Sequence, residues 1–119
     1  MGKHNEFGKL GEQIAVDFLQ KKGYEICFRN YRYLKAEVDV IAKIGETLVV
    51  VEVKTRTSDF LEDMQSVISP KKIKLLTLAA DQYVQEHDLD IEVRFDVIIV
   101  IKKIEGFEVE HLENAFYHF

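Results

Sequence analysis

The sequence predicts an α/β fold: a mixed β-sheet flanked by helices, in the order α-β-β-β-α-β with a further edge strand. Three observations predict it. Two stretches, 5–22 and 70–87, carry apolar residues at helical spacing. Between them lie three Val-, Ile- and Tyr-rich stretches with turn signals at their ends. After the second helix comes "IEVRFDVIIVIKK", an apolar run of the kind that fills an inner strand.

The first helix is predicted over Asn5–Lys22. Phe7, Leu10, Ile14 and Phe18 recur on one face, and Ala15, Val16 and Leu19 widen it. Placed at about 100° per residue, Glu12 falls between Leu19 and Val16, inside the apolar arc. Gly23 suits the position just past the helix end. "YEICFRNYRY" follows as a first strand, then 36–44 and 47–56 as a second and third, joined by a two-residue turn at Gly45-Glu46. "TSDFLEDMQS" (57–66) is polar and aperiodic, hence a loop. Ser69-Pro70 marks a helix start, an N-cap followed by Pro at the first helical position. Ile73, Leu76, Ala80, Tyr83 and Val84 form the buried face of that helix. "FEVEHL" adds the edge strand after a turn at Glu105-Gly106, and "LENAF" is apolar enough to dock on the core or on a second subunit.

At 119 residues, with 47% hydrophobic and 31% charged residues, the chain reads as a single domain over 1–119. No window approaches the roughly 18 apolar residues of a membrane span. The polar start, and a lone Cys27 that excludes an internal disulfide, suit a cytoplasmic protein. The net charge of −5 counts against a nucleic-acid partner, but it is unevenly spread. Residues 1–56 hold ten Lys or Arg against eight Asp or Glu, and the remainder six against thirteen.

The chemistry concentrates in "AEVDVIAKIGETLVVVEVKTR", Ala36–Arg56. Charges inside apolar strands are costly unless paired or bound to an ion. Alternation puts Glu37, Asp39 and Ile41 on one face of the second strand, and Leu48, Val50, Glu52, Lys54 and Arg56 on one face of the third. With Gly45-Glu46 as the turn, Asp39 lies opposite Glu52 and Glu37 opposite Lys54. Two facing carboxylates repel unless a proton or cation lies between them. Oxygen ligands in small number suit Mg²⁺ or Mn²⁺, with water and substrate phosphate completing the shell, whereas the lack of His and Cys argues against zinc. Lys54 can orient an attacking water or stabilise charge on a phosphorane. Glu12 completes the site if the first helix packs on this face. A Glu-x-Lys alone is more often a solvated face or a cross-strand ion pair; Asp39 and the misplaced Glu12 are what raise it above that.

"GEQIAVDFLQKKGYEICFRNYRY", "AEVDVIA", "VVEVKTRTS", "ISPKK", "RFDVIIV" and "HLENAF" resemble, in order and spacing, the bacterial family UPF0102, also called YraN. That family is similar to the PD-(D/E)xK restriction-endonuclease-like superfamily, near the archaeal Holliday-junction resolvases. The resemblance implies an αβββαβ core that cuts nucleic-acid phosphodiesters with Mg²⁺. It implies that Asp39 and Glu52, with the Val53 main-chain carbonyl, are metal ligands, that Lys54 is the catalytic lysine, and that Glu12 is the acid on the first helix, holding a second metal or a bridging water. Branched DNA as substrate and a twofold homodimer follow by analogy with the resolvases. Two positions depart from the pattern: Ala36 stands where the family usually has Gly, and Val38 where the superfamily name has Pro. The other readings are a non-catalytic nucleic-acid- or protein-binding module, and a nucleotide phosphohydrolase.

Arg29, Arg32, Lys35 and Arg56 are candidate backbone contacts for nucleic acid, with ion pairing as the alternative for Arg56. Lys71, Lys72 and Lys74 open the second helix, as a solvated face or, at Lys72, as a phosphate contact. Arg94 and Asp96 share a strand face and suit an internal salt bridge. His4, His87, His111 and His118 have polar flanks and suit the surface.

Overall fold

A computed structural model describes residues 3–57 and 68–116. Helix α1 spans Lys3–Lys21, and strands β1 (Glu25–Tyr33), β2 (Ala36–Ile44) and β3 (Thr47–Thr57) follow. Helix α2 (Pro70–Glu86), β4 (Glu92–Lys103) and the edge strand β5 (Gly106–Leu112) complete the order. The predicted loop at 57–66 lies, apart from Thr57, outside the described residues.

The sheet runs β1-β2-β3-β4-β5, antiparallel throughout except for the parallel pair β3–β4. Parallel neighbours need a crossover, and α2 lies on it. The two helices cover opposite faces. On the α1 side, Ala15, Val16 and Leu19 pack with Val40, Ala42, Val49, Val51, Ile98 and Val100. On the α2 side, Leu76, Ala79, Ala80 and Tyr83 pack with Val38, Ile41, Leu48, Val50 and Phe95. Both faces of β3 and β4 are therefore buried, which is why their sequences are so continuously apolar.

Local signals set the boundaries. Ser69 Oγ accepts the Lys72 N–H at 3.1 Å, closing the α2 N-terminus with Pro70 inside it. Gly23, at φ 93°, ends α1. Gly45, at φ 56°, turns β2 into β3 in the register expected, from Ile44 opposite Thr47 to Val40 opposite Val51. The β4–β5 turn sits one residue earlier than expected: Lys103 pairs with Gly106, so Ile104-Glu105 make it. Leu10 is also displaced from its expected place, being 47% exposed, because the α1 contact centres on Gly11, Ala15 and Leu19. The "LENAF" segment docks on its own core: the Ala115 N–H donates to the Phe95 carbonyl at 2.8 Å, and Phe116 packs on the Phe95 ring.

Arg94 and Asp96 form the internal pair expected, with Arg94 Nη2 2.8 Å from Asp96 Oδ2. The surface role expected of His111 is overturned. Its side chain is buried, Nε2 lies 2.7 Å from Asp96 Oδ2, and Nδ1 lies 2.8 Å from the Lys22 ammonium. An ammonium can only donate, so Nδ1 accepts and the Nε2–H is left to donate to Asp96. Among the other histidines, His87 is exposed, stacks on Tyr83 and lies by the Tyr83 carbonyl; His118 is outside the described residues.

Gly11 lets α1 approach the sheet closely. A Cβ there would overlap Thr55 Cγ2 and lie 3.8 Å from Val100 Cβ. Gly11→Ala is therefore expected to lose about 1–3 kcal/mol by overpacking, despite alanine's better helix propensity. Denaturant unfolding checks this: the double variant Gly11→Ala/Thr55→Ser, lacking the obstructing methyl, should recover most of the loss.

Candidate active site in the fork between two strands

The β2–β3 ladder ends at Val40–Val51, one pair short of the expected opposition of Asp39 and Glu52. Beyond it, β2 continues to pair with β1 as far as Ala36, while β3 continues along β4 to Thr57. The strands fork, and Asp39 sits at the branch. Its Oδ2 accepts the Val53 N–H at 2.8 Å, so a side chain takes a main-chain donor that β2 has left unpaired.

The expectation that Glu37, Asp39 and Ile41 share one face holds for Glu37 and Asp39, which line one cavity, and fails for Ile41. Val38 and Ile41 both pack on the α2 side, whereas strict alternation would separate them. The break is matched across the ladder by Asn30, which has φ 56° between the paired residues Arg29 and Tyr31. Asparagine tolerates this left-handed conformation better than most residues. Ala36, where glycine was expected from the family pattern, is buried and paired with Tyr33, so the methyl is accommodated.

Glu52 is 4% exposed. Its Oε2 lies 3.3 Å from Lys54 Nζ and 3.7 Å from Lys72 Nζ, while its buried Oε1 has no hydrogen-bond partner. A buried carboxylate oxygen left orphaned is costly unless something outside the chain meets it. Asp39 is pushed up to about 7, chiefly by burial and then by the Glu52 charge; the Val53 N–H and the Lys72 charge oppose the rise. Two carboxylates that cannot both ionise comfortably make a site for a proton or a cation.

Glu12 opens on the α1 side of the fork, in a cavity of about 240 Å³ that Lys9, Asn30, Glu37, Asp39, Val53 and Thr55 also line. Glu52 and Lys54 continue the α2-side row of Leu48 and Val50, and Asp39 is the acid that reaches both. Asn30 Nδ2 donates to Glu12 Oε1 at 3.0 Å, and Arg29 Nη2 lies 3.4 Å from the same oxygen. Burial, followed by the charge of Asp39, raises the Glu12 carboxyl above its ordinary value, against the pull of Asn30 and Arg29. Among the described residues, no three His, Cys, Asp or Glu side chains converge closely enough to form a metal-binding group. Glu12 thus stands back from the Asp39–Glu52 pair rather than closing on it as a third ligand. Two carboxylates with water and phosphate oxygens still satisfy the needs of Mg²⁺.

The candidate nucleic-acid contacts divide. Arg29 is engaged with Glu12 and with Gln13 Oε1 at 2.9 Å, and Arg56 donates to the Thr55 carbonyl at 2.8 Å. Arg32 pairs with Glu37 at 3.2 Å but keeps 76% of its side chain exposed, and Lys35 lies exposed in the turn after β1. Lys72 enters the carboxylate cluster itself. Sequence reasoning missed Asn30, Gly11 and Lys9. Asparagine in the middle of a strand-like run, where it is disfavoured, was the available signal for the first. A larger cavity, about 400 Å³ along α2, is apolar where it meets Val84, Val93 and Phe95 and holds no comparable acid pair.

The family model described as "Uncharacterised protein family UPF0102" matches residues 11–100, which include Glu12, Asn30, Asp39, Glu52, Lys54 and Lys72. A UPF0102 protein of Christiangramia forsetii is 50% identical over 119 residues, covering the whole of both chains. One from Flavobacterium psychrophilum is also 50% identical over the whole of both, and one from Parabacteroides distasonis is 42% identical over 98% of this chain and 97% of its own. With half of its residues shared end to end and its forked-strand site inside the matched segment, this chain belongs to the UPF0102 family.

Proposed function

We propose that the cleft hydrolyses phosphodiester bonds of nucleic acid with a bound divalent cation, Mg²⁺ or Mn²⁺. One observation carries the reading: an acid pair at a strand fork, buried Glu52 beside half-buried Asp39, with one glutamate oxygen unpartnered and a lysine two residues on. The likeness to the PD-(D/E)xK nucleases supports the same reading. Asp39 and Glu52, with the Val53 carbonyl, would hold the cation, which would supply Lewis-acid polarisation of the phosphate and neutralise its charge. Lys54 orients the attacking water and stabilises negative charge on the phosphoryl oxygens. Glu12, positioned by Asn30 and Arg29, binds a water on the α1 side of the fork, next to Asp39. Arg32 and Lys35, on the hairpin that carries Asp39, track the phosphate backbone. Branched DNA, such as a flap or four-way junction, is the substrate class that the resolvase likeness favours, and a twofold dimer would suit paired cuts.

A binding module that keeps the fold without cutting is the second reading. It is favoured by the charge balance of the cluster, where two lysines offset two carboxylates with no added ion. Cleavage of a DNA panel (single-stranded, duplex, flap and four-way junction) with Mg²⁺ or Mn²⁺ separates the two. Wild type is expected to cut and an identically purified Lys54→Ala protein to lose about a hundredfold or more. Equal cutting by both would remove Lys54 from the mechanism. Junction binding without cutting by either would favour the module.

A further inference from the structure

We propose that Lys72 is a built-in counter-cation for the acid pair, displaced from Glu52 when a divalent ion binds and then presented to the substrate phosphate. The inference rests on the metal-dependent reading above and deepens it. Lys72 lies in the first turn of α2, where its main-chain N–H is fixed on Ser69 Oγ at 3.1 Å. Its ammonium lies 3.7 Å from Glu52 Oε2 and donates to the Glu37 carbonyl at 3.4 Å. The same Glu52 oxygen already has Lys54 at 3.3 Å.

Two ammoniums thus share one oxygen, while the other oxygen has none. With Asp39 and Glu52 both ionised against Lys54 and Lys72, the cluster is neutral without any added ion. Adding a dication leaves an excess of positive charge in a partly buried cleft, and the more weakly held ammonium is the one to leave. Lys54 projects from an inner strand paired in register with β4, opposite Ile99. Lys72 has the longer contact with Glu52, and its bond to Glu37 is at the weak limit of hydrogen-bond length. Its stem springs from the helix N-terminus, whose positive end favours an arriving phosphate. Because Lys72 also ties α2 to the β2 main chain through Glu37, its release loosens that contact.

Manganese provides the probe. Mn²⁺ affinity is measured by paramagnetic resonance of the free ion for wild type and Lys72→Met. In parallel, acylation of wild-type Lys72 by an amine-reactive ester is followed by peptide mass spectrometry with and without Mn²⁺. Removing the competing charge is expected to tighten Mn²⁺ binding roughly fivefold or more, and by reciprocity Mn²⁺ should speed acylation of wild-type Lys72. Wild type that binds Mn²⁺ while Lys72→Met binds it no tighter, or while Lys72 acylation is unchanged or slowed, overturns the proposal and leaves the metal site standing. Absence of Mn²⁺ binding by both folded proteins at millimolar concentration overturns the proposal together with the metal-dependent reading.

Discussion

Asp96→Ala is expected to destabilise the protein by about 3–5 kcal/mol, the loss typical of breaking a buried charge network from one side. Asp96 is fully buried and takes Arg94 Nε at 2.9 Å and Nη2 at 2.8 Å, His111 Nε2 at 2.7 Å and the Asn114 N–H at 3.0 Å. Arg94 continues to the Tyr24 hydroxyl at 2.7 Å, and His111 to Lys22 at 2.8 Å. The carboxylate therefore joins the end of α1, the start of β1, β4 and the segment after β5. Its removal takes the buried acceptor from a guanidinium, an imidazole and a main-chain donor at once, and leaves Arg94 only the Tyr24 hydroxyl and Glu113 at 3.7 Å. Thermal unfolding should show a drop on the order of 15 °C; a drop of only a degree or two would mean that the network is dispensable.

The pH dependence of this effect has a definite sign. Burial pushes Asp96 up, but the hydrogen bonds from His111, Arg94 and Asn114 outweigh it and leave the carboxyl below its ordinary value. A depressed folded-state value gives stability that is present above the unfolded value, about 3.9, and lost as pH falls through the folded one. The gap between wild type and Asp96→Ala should accordingly be full at neutral pH and shrink only in strong acid.

Asp39→Asn should behave in the opposite way. Asp39 is held near 7 in the folded protein, first by burial and then by Glu52, so the folded state keeps a proton that the unfolded state releases near 4. Wild-type stability contributed by that proton is full below about 4 and is lost as pH rises through about 7. Asparagine removes the titration and the repulsion of Glu52, and its carbonyl can still accept from Val53 N–H. Without divalent ions the variant is expected to be about 1–3 kcal/mol more stable than wild type at pH 8, with the advantage vanishing near pH 4. Cleavage should fall by about a hundredfold or more, since a ligand matters at least as much as the outer-shell groups that orient it. A variant less stable than wild type at pH 8 would show that the carboxylate is structural.

Much of this was legible locally. Ser69-Pro70, Gly23 and Gly45-Glu46 are short signals whose backbone demands do not depend on the rest of the fold, and the structure uses each as expected. That Asp39, Glu52 and Lys54 lie together was legible for a different reason: charge in a Val-rich strand has few tolerable explanations. What lay out of reach depended on the third dimension. Alternation in β2 could not show its own break at Asp39, because the matching irregularity is Asn30 on another strand. The polar neighbours of His111 hid its burial, which is created by Lys22 and Asp96 from far along the chain. Lys72 reads as a solvated face or a phosphate contact because helix position alone does not reveal a four-carbon stem reaching Glu52.

On the reading proposed above, Asp39 and Glu52 at the strand fork hold a divalent cation. Thermal unfolding of wild type and Asp39→Asn at pH 8, with and without Mg²⁺ at matched ionic strength, tests it most directly. A ligand at about 100 times its dissociation constant stabilises the folded state by about 2.7 kcal/mol, several degrees for a chain of this size. Wild type should gain that stabilisation from Mg²⁺ and Asp39→Asn should not. A wild-type midpoint indifferent to both Mg²⁺ and Mn²⁺, or an equal gain in the two proteins, would contradict the claim.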